Sequence, residues 1–182
     1  MMKLFIASDI HGSAFYADKM MSAYKKEKAD KMLLLGDILY HGPRNDLPKE
    51  YNPKEVIKLL NEEKGNILCV RGNCDAEVDQ MVLEFPIMAD FMVINNEAIK
   101  IFATHGHVYN EDILPEESFD VLLHGHTHVP KVNEHEGYAY INPGSVSIPK
   151  ENSHHGYMIF ENNTFTWKDF DGKVVNEYTV RK

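Results

Sequence analysis

The chain has 182 residues, 43% hydrophobic and 26% charged, with a formal charge of −9. That length suits one domain, 1–182, with a sizeable core, and the acidic balance argues against long nucleic acid as the main partner, which needs a basic surface. No apolar run approaches the ~18 residues a membrane span requires, so no membrane is expected. Two cysteines, Cys69 and Cys74, form no paired framework, and Met1-Met-Lys-Leu-Phe-Ile-Ala reads as a strand rather than a leader. A soluble protein of the reducing cytoplasm is the expectation.

Leu4 to Ala7 is a short apolar run ending in Ser8-Asp9-Ile10-His11-Gly12. Ser13 then suits a helix cap, with Phe15, Met20, Met21 and Tyr24 at roughly helical spacing through about Lys28. Met32 to Leu35 is a second buried strand, ending in Gly36-Asp37, and Tyr40-His41-Gly-Pro-Arg44-Asn45 carries loop punctuation. Pro53 opens a second helix through Glu63, with Val56, Leu59 and Leu60 inward. Ile67 to Val70 ends in Arg71-Gly72-Asn73-Cys74-Asp75, Ile99 to Ala103 in Thr104-His105-Gly106-His107, and Val121 to Leu123 in His124-Gly-His126-Thr-His128. Met81 to Ile94, rich in Met, Phe and Ile, reads as core more than interface.

Five times, then, an apolar strand runs into Asp, Asn or His beside a glycine. In α/β sheets ligands bind in the crevice outside the strands' carboxyl ends. Strand–helix alternation in the first half fits right-handed crossovers in a mostly parallel sheet. After His128 the texture changes to strands at Tyr138–Ile141, Tyr157–Phe160, Phe165–Phe170 and Val174–Val180, with Asn162-Asn163 and Asp171-Gly172 as hairpin turns, so this third is expected to be antiparallel. The fold class is α/β, with two packed sheets.

The last of the five strand ends carries the most specific signal. In extended backbone, residues two apart point the same way, so His126 and His128 converge, and Gly125 leaves room for their rings. Asp9, His11, Asp37, Asn73, His105, His126 and His128 together make two carboxylates, one carboxamide and four imidazoles. Seven donors exceed what one ion with an open position needs; they suit two ions bridged by a carboxylate, the clamp of phosphate-ester hydrolysis. Each alone has a plain structural role: Asp9 and Asp37 as caps, Asn73 as a turn residue, His105 as a core histidine. Their joint placement makes the case.

The motifs Asp9-Ile-His11, Gly36-Asp37, Gly72-Asn73-Cys74-Asp75, His105 and Gly125-His126-Thr-His128 resemble the D-x-H, G-D, G-N-H-[DE], H and G-H-x-H series of the calcineurin-like metallophosphoesterases. The small bacterial phosphodiesterases of that family are the nearer likeness, through His41–Asn45, Arg71–Met81 and Asn142–Lys150. The resemblance implies a four-layer αββα sandwich, a mixed sheet plus antiparallel C-terminal strands, around a dinuclear site, often manganese, with iron, zinc, nickel or cobalt as alternatives. It assigns Asp9, His11, Asp37 and His128 to one metal and Asp37, Asn73, His105 and His126 to the other. It also suggests a homo-oligomer, dimer or tetramer. One position departs from the family: Cys74 stands where other members carry a histidine thought to protonate the leaving group or hold the phosphate. A thiol is a poorer partner for phosphate than imidazolium, so weak activity on poor leaving groups is expected, with a small buried filler as the other reading of Cys74.

The expected function is hydrolysis of a small phosphodiester by a hydroxide bridging two divalent metal ions, with Asp37, Asn73 and His105 at the catalytic centre. Arg44 is the first candidate for substrate contact through a planar guanidinium, with His41, Cys74 and His107 beside it; Arg71 is as readily paired with an aspartate. The rivals are a phosphomonoesterase with the same metals, a non-catalytic scaffold of the same fold, and a nuclease, the last disfavoured by the acidic balance.

Overall fold

The computed structural model describes residues 2–96 and 99–181. β1 (Leu4–Ala7), β2 (Lys31–Leu34) and β3 (Ile67–Cys69) pair in parallel. Parallel neighbours need a crossover, and α1 (Ala14–Glu27) and α2 (Pro53–Asn61) supply the two. Ser13 caps α1, its Oγ accepting the Tyr16 N–H at 3.3 Å, and the helix stops where Lys28 turns left-handed. Pro53 sits in the first turn of α2, with the Asn52 side chain accepting from the Glu55 N–H. Both helices cover one face of the sheet: Met20, Tyr24, Val56 and Leu60 pack with Phe5, Met32, Leu34 and Ile67.

That sheet has six strands in the order β11-β10-β9-β1-β2-β3. β9 (Gly156–Glu161), β10 (Thr164–Asp169) and β11 (Val174–Thr179) join it antiparallel. Asn162 and Asn163 turn the first hairpin, both at positive φ, the conformation a two-residue turn demands. A second sheet runs β4-β5-β6-β8-β7, from β4 (Phe91–Asn95), β5 (Lys100–Thr104), β6 (Val121–Leu123), β7 (Lys131–His135) and β8 (Tyr138–Asn142). β5, β6 and β8 are parallel, whereas β4 and β7 are antiparallel edges. The result is two mixed sheets with few helices.

The sheets meet over an apolar layer in which Leu4, Ile6, Leu33 and Leu35 of one face Ile101, Val121, Leu123 and Ile141 of the other. Trp167 closes this layer, buried, with its indole N–H donating to the Asn142 carbonyl at 2.8 Å. On the outer face of the second sheet Phe102 stacks on Phe91 and meets Tyr109 and Phe119. Those last two belong to the segment 105–120, which contains no helix among the described residues, so this outermost layer is irregular rather than helical.

Two expectations change. The C-terminal third is not wholly antiparallel: the chain runs up β7 at the sheet edge, reverses in two residues at Glu136-Gly137, and returns as β8 parallel to β6. The stretch Met81 to Ile94 divides, with Leu83, Phe85 and Ile87 in the core but Met81 84% exposed. Five strand C-termini therefore open on one rim, and the loops leaving them build the site.

Candidate metal centre

The backbone at this rim bends sharply. Asp9, His11, Asp37, His126 and His128 all have φ between 50° and 65°, a conformation that L side chains seldom adopt and that costs about 1–2 kcal/mol per residue. Such strain is retained where surrounding structure fixes it and function uses it. It also corrects the extended reading of the last motif. His126 and His128 do not point the same way: His126 Nδ1 lies 3.2 Å from His105 Nε2, whereas His128 Nε2 lies 3.2 Å from His11 Nε2. Gly125 is required for a different reason than room for the imidazoles. A Cβ there would fall 1.9 Å from Ser8 Oγ and 2.7 Å from Asp9 Oδ2. At Gly72 a Cβ would meet Asp37 Oδ1 at 2.1 Å.

All seven donors predicted from the sequence come together in two groups that share Asp37. In one, His128 Nε2 is 3.2 Å and His11 Nε2 3.7 Å from Asp9 Oδ1, with His11 Nε2 also 3.7 Å from Asp37 Oδ2. In the other, His105 Nε2 is 3.5 Å from Asp37 Oδ2 and 3.0 Å from Asn73 Oδ1, with His126 beside it. Asp9, His11, Asp37, His105 and His128 are buried, while Asn73 is exposed.

Backbone carbonyls orient three of these rings. The Nδ1 atoms of His11, His105 and His128 lie 2.8, 2.6 and 2.7 Å from the carbonyls of Tyr40, Leu35 and Ile148, so each N–H donates outward and each Nε2 lone pair faces the centre. Lone pairs 3.2 Å apart repel unless a proton or cation lies between them. Asp9 Oδ1 is buried there without a hydrogen-bond partner among the described residues. Protons on the rings are one way to meet that demand. Burial opposes charge on His11 and His105, yet the neighbouring Asp9 and Asp37 carboxylates prevail, raising both rings, His105 to about 9. Burial likewise opposes ionisation of Asp9, but the His11 and His128 rings facing it, with the charge on His105, hold it well below the carboxylate range. For His126, burial and the charge on His105 act together and push it down to about 4. Facing imidazole nitrogens, a partnerless carboxylate oxygen and a shared carboxylate form a donor set that suits divalent cations.

Further residues that the sequence reading left without roles hold this shape. Asp75 accepts from the N–H groups of Asp37, Ile38 and Gly72 at 2.9, 2.8 and 2.7 Å, tying the loop after β2 to the loop after β3. Ser145 and Ser147 donate to the Asp9 carbonyl, and Asn142 donates to the Gly125 carbonyl. The G-N-x-D spacing was the one available signal for Asp75; the others arrive from a distant part of the chain.

A cleft of about 450 Å³ opens over the centre, lined by Asp37, Arg44, Asn73, Cys74, His126 and Lys150 among others. Of the residues expected to meet substrate, Arg44 and Cys74 line this cleft, and Lys150 lines it with them. His41 does not line this cleft: its ring packs edge-on against Tyr40 and Tyr51. His107 lines a neighbouring cavity instead. Arg71 donates to the Asp75 carbonyl at 3.4 Å. Burial, then the Asp37 charge, pushes the Cys74 thiol up to about 12.

Two sheets joined at a rim of Asp, Asn and His define a class, and the comparisons agree: the chain belongs to the calcineurin-like phosphoesterase superfamily, whose domain model matches residues 2–164. Phosphodiesterase YfcE of Escherichia coli (strain K12) is 46% identical over 115 residues, covering 63% of this chain and 62% of that protein, so the aligned stretch spans less than two thirds of the relative. A solved structure of YfcE from E. coli, described as a phosphoesterase, superposes with a TM-score of 0.95 at 40% identity, covering 99% of this chain and 100% of that one. Vps29 of Chaetomium thermophilum shares the fold, with a TM-score of 0.66 at 17% identity and all of both chains covered.

Proposed function

We propose that this protein is a metal-dependent phosphodiesterase acting on a small phosphodiester. The observation that carries the reading is the carboxylate of Asp37 shared between two sets of donors. Asp9, His11, Asp37 and His128 would hold one divalent cation and Asp37, Asn73, His105 and His126 the other, manganese first, with iron, zinc, nickel or cobalt as alternatives. When bound, such a pair supplies Lewis acidity at the phosphoryl group and acidifies water. Arg44 and Lys150, at the cleft wall, bind phosphoryl oxygens, Arg44 through two parallel N–H donors. The carbonyls of Tyr40, Leu35 and Ile148 fix the ring tautomers, so no ring has to rotate or shed a proton inward during turnover. Cys74 remains a neutral thiol and offers no imidazolium to the departing alkoxide, which favours good leaving groups.

Homology to a named phosphodiesterase supports the diester over the monoester. We also take the working protein to be a cytoplasmic homo-oligomer, for which exposed Val78, Met81 and Val82 offer an apolar face; light scattering on the purified chain tests this. For the activity, the protein is reconstituted with each metal and assayed on bis(p-nitrophenyl) phosphate and p-nitrophenyl phosphate. Metal-dependent release from the diester, faster than from the monoester, is expected. A faster monoester reaction makes it a phosphomonoesterase. No bound metal by elemental analysis and no release make it a scaffold.

A further inference from the structure

The cleft over the metal centre has a neighbour. A second cavity, about 500 Å³, lies on the other side of His126 and Thr127, which line both. The walls differ in charge: beyond Asp37 of the metal centre the first cleft presents Arg44 and Lys150, whereas the second presents Glu111, Asp112 and Glu151 with Lys131. Glu111 is held in place by Asn133 Nδ2 at 2.9 Å and His135 Nε2 at 2.7 Å, and stays ionised because these donors outweigh its partial burial.

Behind the carboxylates lies an unmet acceptor. His124 is only 3% exposed and lines this cavity, its ring 4.5 Å from that of Tyr140. Its Nδ1 lies 3.0 Å from the Gly125 carbonyl and so carries the proton, leaving a lone pair on Nε2. That buried Nε2 has no hydrogen-bond partner among the described residues. Native proteins seldom leave such an atom unpaired unless something else satisfies it. Tyr140 lines the same cavity, its hydroxyl accepting from Asn142 Nδ2 at 2.9 Å.

A phosphodiester carries two alcohol arms on one phosphorus, and this site offers two chambers on either side of one metal-facing ring. Resting on the phosphodiesterase reading above, we propose that the second cavity binds the arm retained on the product and selects a small alcohol bearing hydrogen-bond donors, an amino alcohol or a polyol. Carboxylates and an imidazole lone pair welcome donors, and a bare alkyl or aryl arm leaves them unpaired.

Four p-nitrophenyl diesters test this on the reconstituted protein, differing in the retained arm: ethyl (neither donor nor charge), 3-hydroxypropyl (donor), 2-aminoethyl (donor and charge) and choline (charge without N–H). The aminoethyl ester should exceed the ethyl ester in kcat/KM by roughly five- to tenfold, and Glu111→Gln with Glu151→Gln should shrink that ratio to about twofold. An equal gain for hydroxypropyl assigns the cavity to a polyol; a gain confined to the aminoethyl arm assigns it to an amino alcohol. Choline matching aminoethyl while hydroxypropyl matches ethyl overturns donor recognition. In parallel, the imidazole ring signals of His124 are followed by NMR in the zinc-loaded protein with O-phosphoethanolamine and with ethyl phosphate. A shift with the first alone supports the cavity even if no diester is turned over, a result that would sink the phosphodiesterase reading separately. Equal kcat/KM across the four arms, or a His124 signal unmoved by O-phosphoethanolamine, overturns the proposal.

Discussion

The rim and the layer beneath it are built from the same strands by opposite rules. Within β6, Val121, Leu122 and Leu123 are fully buried and apolar, yet in the loop that follows His124 and His128 are buried and polar. Between the sheets the packed side chains are apolar, and the Trp167 N–H is paired with the Asn142 carbonyl. At the rim, Asp9, His11, Asp37, His126 and His128 hold positive φ, and Asp9 Oδ1 is buried unpaired. Burying charge and straining backbone both cost stability, so the layer below supplies what the rim gives up. The contrast separates the two jobs: folding is held by the sandwich, chemistry by its edge.

The largest expected effect breaks that contrast if it fails. Asp37→Ala removes the shared carboxylate, so hydrolysis should fall by about a thousandfold or more. Thermal stabilisation by added metal should vanish with it, since only the folded state binds the ions. Metal-free variant and metal-free parent should melt at nearly the same temperature. A metal-free variant that unfolds would show that the rim is part of the scaffold after all.

The converse change comes next. Leu123→Ala empties space between the sheets and should cost about 2–5 kcal/mol in denaturant unfolding, while kcat/KM of the folded fraction changes only a few-fold. Asp75→Asn lies on the boundary, a rim carboxylate fully used by the fold. It leaves one oxygen for three N–H donors, and should cost about 2–3 kcal/mol and lower kcat together, because the loops carrying Asp37 and Asn73 come apart. Normal activity in a destabilised Asp75→Asn would show that those loops are positioned by something else. A smaller effect concerns the family's missing imidazole: Cys74→His should raise turnover of an alkyl leaving group about tenfold more than that of p-nitrophenol. Equal gains would remove position 74 from leaving-group chemistry.

How much of this is readable in the chain follows the same division. Buried strands that break into Asp, Asn or His beside glycine announce the rim, because an apolar run cannot end that way by packing alone. Ser13 and Pro53 mark the helix starts by local hydrogen bonding and ring geometry. What escapes is whatever depends on distant partners. β4 and β7 are edges whose burial is uneven, and Lys131-Val-Asn-Glu-His135 carries one apolar side chain, too few for a periodic signal. The directions of His126 and His128 depend on left-handed backbone fixed by Ser8, Asp9 and Ile148, none of them near in sequence. Lys150 and the wall at Glu111 reach the site from loops whose course only the packed sheets decide.

The smallest effect lies farthest from the rim, and it tests whether polar groups elsewhere obey the sandwich's rule rather than the rim's. Glu27, at the end of α1, is paired on every side: Lys168 Nζ donates at 2.7 Å, Tyr157 Oη at 2.9 Å and Lys3 Nζ at 3.3 Å. Partial burial opposes its ionisation, but the Lys168 and Tyr157 hydrogen bonds prevail and hold the carboxyl below its ordinary value. A depressed folded-state pKa stabilises the protein above the unfolded value, about 4.3, and that contribution is lost as pH falls through the folded pKa. Glu27→Gln should therefore cost about 1 kcal/mol at pH 7, with the gap to the parent closing as the pH falls below about 4. Hydrolysis at pH 7 should be untouched, because none of the partners reaches the cleft. A gap that is flat from pH 7 to pH 3 would mean that the glutamate acts through packing of its stem and not through its charge.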